Sequence, residues 1–108
     1  MRIIIDRDAV CAGDDMNHHR EEFTVPEDIT IAGLFEFLEF KYIPAIAGNN
    51  VVWALYYHER ELGAYFTKIQ SFINGNISLS SIINRSEKDN EFYLHYYSHP
   101  DRYRKRFI

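Results

Sequence analysis

The stretch TIAGLFEFLEFKYIP, residues 30–44, decides the fold. Its apolar residues Ile31, Leu34, Phe35, Leu38 and Tyr42 recur at the spacing that lines one face of a helix. Thr30 offers an N-cap hydroxyl to an otherwise unpaired backbone N–H. Pro44 stops the helix, because its ring carries no N–H and clashes with the preceding turn. The spacing therefore predicts a helix over 30–43. Phe37 and Phe40 lie off the apolar stripe, so something has to cover them.

Working outward, residues 2–11 (RIIIDRDAVC) and about 20–25 read as two strands, with Ile3, Ile5, Ala9 and Cys11 on one parity. The polar loop 12–19 makes them an antiparallel hairpin, and Pro26 ends it. Beyond the helix, Gly48-Asn49-Asn50 breaks the chain. Residues 51–58 follow as a strand with Val51, Trp53, Leu55 and Tyr57 on one face. A turn at Glu59-Arg60-Glu61 leads to a strand over 62–67, where Leu62, Ala64 and Phe66 alternate with Gly63 and Tyr65. Residues 68–90 carry a turn at Asn74-Gly75-Asn76 and one helical turn near Leu79–Ile83. A last strand over 92–98 sets Phe92, Leu94 and Tyr96 inward, and the basic segment 99–108 is read as a tail.

A chain of 108 residues that is 46% apolar can bury a core as one domain without disulfides. The single Cys11 leaves no intramolecular disulfide, and no apolar run approaches a bilayer span, so the composition points to a cytoplasmic protein. Residues 1–30 hold three arginines against eight acidic side chains, whereas residues 91–108 hold four basic side chains against two acidic ones. The acidic front disfavours nucleic acid and anionic membrane and favours a partner protein with a basic surface. The basic segment 99–108 is expected to pair within the chain, with the acidic first hairpin.

Thr-Val-Pro-Glu-Asp-Ile-Thr-Ile at 24–31, Ile43-Pro44 at the helix end, and Leu79-Ser80-Ser81-Ile82-Ile83-Asn84 ahead of Phe92-Tyr93-Leu94-His95-Tyr96 carry a resemblance. In these stretches the chain resembles the β-grasp fold of ubiquitin-like proteins. The likeness implies an α+β domain in which a mixed sheet of four to five strands packs on one main helix, with the first and last strands parallel neighbours. It does not extend to a terminal Gly-Gly or to the four cysteines of a plant-type ferredoxin. Conjugation and iron–sulfur chemistry are therefore not expected, and no cofactor is assigned.

Two sets of residues are candidates for function. Cys11, Asp14, Asp15, His18 and His19 bring thiolate, carboxylate and imidazole onto one hairpin, the donor set of a zinc site or a thiol-dependent enzyme. Adjacent histidines lack the spacing of helical zinc ligands, and Asp-Asp is ordinary turn composition, so a solvated loop tip accounts for the same residues. Glu59 and Glu61, at a turn tip, are expected to be solvated. The other set is aromatic. Tyr56, Tyr65, Tyr93 and Tyr97 have outward parity, and with Phe37 and Phe40 they would form a protein-binding surface, since tyrosine combines large stiff contact area with a polar tip. Residues 68–90 and the C-terminal segment folding back over them is the competing account. A non-catalytic binding module is the leading expectation, as an immunity protein, inhibitor or adaptor facing a basic partner. Pairing of two copies through the tyrosine face is a further one.

Overall fold

The helix forms where the spacing places it. In the structure, a computed structural model that describes residues 1–10, 19–44, 50–83 and 90–107, α1 spans Ile31–Lys41. The Thr30 hydroxyl accepts from the Gly33 N–H at 3.1 Å, and the Tyr42 N–H closes the last turn on the Leu38 carbonyl at 2.7 Å. Ile31, Leu34, Phe35 and Leu38 are buried, and Lys41 complements the negative end of the helix dipole.

The helix lies on a six-stranded mixed sheet made of β1 (Arg2–Arg7), β2 (Glu21–Thr24), β3 (Val52–Tyr57), β4 (Arg60–Phe66), β5 (Ser71–Ile73) and β6 (Glu91–Tyr97). In space the order is β2-β1-β6-β3-β4-β5, with β1 and β6 parallel and every other pair antiparallel. A 3-10 turn, Leu79–Ser81, precedes β6 at some distance, and α2 (Pro100–Arg104) with a second 3-10 turn (Lys105–Phe107) follows it. The four to five strands expected from the sequence are thus six. The extra one, β5, is a three-residue edge flanked by left-handed Gln70 (φ 51°) and Asn74 (φ 59°), too short to show an alternation. The hairpin turn falls at His58 (φ 56°) and Glu59, so Arg60 and Glu61 belong to β4 rather than to a turn. The segment read as a tail is helical.

Both faces of the sheet carry a core. On the α1 side Ile3, Ile5, Trp53, Leu55, Tyr57, Phe92 and Leu94 pack with the helix stripe and Leu79, as their parity demands. In β4 the expected parity fails. Leu55 faces Gly63 while Tyr56 faces Glu61, which leaves Leu62 as an extra, bulged residue. Beyond the bulge the alternation inverts. Leu62 stays with the helix-side core, but Tyr65 is buried there too, stacked on Phe72 at 4.9 Å, and Ala64 and Phe66 turn to the opposite face. There they join Val52, Ala54 and the α2 residue Tyr103 in a second cluster, with Tyr56 and Tyr97 packed at its margin.

Gly63 shows how closely the layers approach. A Cβ on it would sit 2.5 Å from the Ile73 carbonyl oxygen and 3.2 Å from Ile31 Cγ2. Because the first clash is with backbone, Gly63→Ala is expected to lower unfolding free energy by about 1–3 kcal/mol in urea titrations. Leu38→Ala, which empties a fully buried site on α1, should cost about 2–5 kcal/mol.

Candidate functional site

The face opposite α1 holds a polar network centred on Glu61. The bulge turns this carboxylate toward α2, where Oε1 accepts from the Tyr56 hydroxyl at 3.1 Å and from Arg106 Nη2 at 2.9 Å. Its Oε2 accepts from the Tyr103 hydroxyl at 2.9 Å. The Arg106 guanidinium also donates to the Tyr56 hydroxyl at 3.0 Å and lies 4.2 Å from the Tyr103 ring centroid and 4.7 Å from that of Tyr97. About a quarter of either charged side chain remains exposed. Glu61 is therefore not a solvated turn carboxylate, and the C-terminal segment engages β4 here through Arg106 and Tyr103. Nothing in the sequence pattern marked Glu61, Tyr103 and Arg106 as a set, because the bulge that aims Glu61 has no composition of its own.

Next to it, Asp8 accepts from the Tyr93 hydroxyl at 2.7 Å and from the Tyr96 N–H at 2.8 Å, and sits 3.3 Å from His95 Nδ1. The His95 ring meets the Tyr56 ring edge-on at 4.7 Å. An Asp–His pair is the start of an acid–base dyad. The nearby shallow depression, lined by Asp6, Arg20, His58, Glu91, Phe92 and Tyr93, does not include His95. The pair is better described as a tie between β1 and β6.

Three of the outward tyrosines are thus engaged within the chain: Tyr56 with Glu61 and Arg106, Tyr97 beneath Arg106, and Tyr93 on Asp8. Tyr65, expected outward, is buried on the helix side for the reason given by the bulge. Phe37 is half-buried, covered by Phe23 of β2 at 5.4 Å in an edge-on contact. Phe40 differs from all of these. It is 89% exposed on the outer face of α1. With Glu36, Glu39, Tyr65, Gln70 and Phe72 it lines an open groove between α1 and the β5 edge. Both carboxylates are exposed, and Glu39 adds to burial in pushing the Tyr65 phenol above its ordinary pKa.

Of the metal candidates, Cys11, Asp14, Asp15 and His18 lie outside the described residues. His19 is half-buried, and its backbone carbonyl accepts from the Tyr42 hydroxyl. Among the described residues no three histidine, cysteine or acidic side chains are grouped to hold a metal ion, and no helix is long and apolar enough to cross a membrane. Comparison of the chain with protein-family models, with curated proteins and with solved structures finds no match in any of the three.

Burial, followed by the Glu61 carboxylate, pushes the Tyr56 phenol up to about 12 from an ordinary 10.0. Burial, with Glu61 and Asp8 adding to it, also raises Tyr103 and Tyr93. A phenol held protonated more tightly in the folded state stabilises fully below pH 10, where both states keep the proton, and loses that contribution as pH rises through 12. Stability measured by urea unfolding is expected to decline across pH 10–12, and phenolate absorbance to lag behind that of the unfolded chain. Glu61→Ala strands two phenols and a guanidinium at once. It should cost about 1–3 kcal/mol and shorten the lag at Tyr56 without removing it, since burial, the larger cause, remains.

Proposed function

We propose that this chain is a non-catalytic protein-binding module of the ubiquitin-like β-grasp kind, taking a partner with a basic surface in the groove beside Phe40. The observation that carries the reading is the exposure of Phe40 beside Glu36 and Glu39, above a floor of Phe72 and Tyr65. A phenyl ring left in water next to a ready apolar floor is what a binding anchor requires. The carboxylates around it set the sign of the partner and would speed its capture. Support for the β-grasp description comes from the strand order and from the parallel β1–β6 pair beneath one main helix. On the tyrosine face, the other candidate surface, the Tyr56 and Tyr93 hydroxyls and the Tyr97 ring are engaged within the chain.

Selection from a displayed library of short peptides tests this directly. The expected binders carry lysine or arginine together with an aliphatic or aromatic anchor. Phe40→Asp should weaken them by about tenfold or more, as loss of an anchor worth about 2 kcal/mol does. Tyr93→Phe, far from the groove, should leave affinity unchanged, and binding should weaken with added salt. Selected peptides that are acidic, or that ignore Phe40→Asp, would sink the reading.

A further inference from the structure

The two edges of the sheet are built differently. β2 exposes Glu21 and Glu22, and Glu22 is ion-paired to Arg2 of β1 at 2.7 Å. Charges on an edge strand hinder another strand from pairing there. β5 has no such guard. From Ile69 to Ile77 the sequence IQSFINGNI is uncharged, and Ile69 (66%), Ile73 (38%) and Ile77 (39%) are exposed along it.

Nor is β5 loosely held. Asn74 Nδ2 donates to the Leu62 carbonyl at 2.9 Å. The carbonyls of Gly75 and Ile77 accept from Ala32 and Ile31 at the start of α1, both at 2.9 Å. An uncharged, preorganised edge presents a template whose ordering cost has already been met within the fold. We infer that β5 is a docking edge at which an extended basic segment of a partner protein adds as a seventh strand, its alternate side chains reaching Glu36 and Glu39.

The placement follows from strand geometry. Phe72 points to the α1 side, 6.2 Å from the Phe35 ring, while Ser71 and Ile73 have the opposite parity. A strand added about 4.8 Å beyond β5 sets every second side chain on the α1 side, over the groove that Glu36, Glu39 and Phe40 line. Lysine or arginine at those positions meets the carboxylates, and the intervening residues lie beside exposed Ile73. A second copy of this chain is the poorer occupant. Two-fold pairing of β5 with β5 would bring both sets of Glu36 and Glu39 to one junction, where like charges repel. The inference deepens the proposed function and rests on the same groove.

The test uses the wild-type chain and the tightest peptide selected above, remade with N-methyl groups on alternate residues in two registers. N-methylation removes donors along one edge of an extended peptide. Strand addition predicts that one register weakens binding about tenfold or more while the other stays within about twofold of the parent. The parent peptide should also slow amide exchange at Phe72, the β5 residue whose backbone faces the open edge, since the Ile73 carbonyl points to β4. Registers that behave alike, or unchanged exchange at β5, would overturn strand addition and leave the groove standing. Indifference of the parent peptide to Phe40→Asp would instead overturn the groove, and strand addition with it.

Discussion

At Leu62 two residues of β4 oppose one of β3, and the downstream strand is turned over by that insertion. The consequences run through the molecule. Tyr65 enters the helix-side core, where it meets Phe35 and Phe72 and so fixes the position of β5. Ala64 and Phe66 are sent to the other face, which then has to be covered. Upstream of the bulge, Glu61 points to that same face and supplies the acceptor for the covering element. A regular β4 would keep Ala64 and Phe66 beneath α1 and leave the second face of β4 with Tyr65 and no apolar neighbours on its own strand.

The covering element is short, and its hold depends on a few contacts of different kinds. Tyr103 brings a ring into the Val52–Ala54–Ala64–Phe66 cluster and a hydroxyl to Glu61. Arg106 spans the same carboxylate and the faces of Tyr97 and Tyr103. A helix of five residues has little stability of its own, so α2 exists because it is docked. Its side of the sheet combines a small apolar cluster with the Glu61 network, whereas the α1 side carries the groove of mixed lining and the uncharged edge.

Much of the architecture was legible in the chain. The i, i+3, i+4, i+7 recurrence of Ile31, Leu34, Phe35 and Leu38, with Thr30 before it, specifies α1 to within a residue or two. Alternation did the same for β3 and β6, where Trp53, Leu55, Phe92 and Leu94 all face the helix. What could not be read was anything decided by pairing register. The bulge depends on how β3 and β4 align, so alternation alone puts Tyr65 on the outward face and Glu61 in solvent. β5 is held by left-handed turns and by bonds to α1 rather than by a pattern of its own. Of the aromatic candidates, Phe40 is the one that the described residues leave exposed, whereas Phe23 reaches Phe37.

The parallel pairing of β1 with β6 sets the order in which the molecule can be assembled. On the side away from β2, Ile4 through Arg7 pair with Glu91 through Leu94, across most of the length of the chain. The β1–β2 hairpin has no other neighbour in the sheet, so it stays a marginal two-stranded ribbon until β6 has been made and threaded beside it. During synthesis on the ribosome α1 and the β3–β4 hairpin are therefore available to meet first, while the N-terminal residues wait longest for their place.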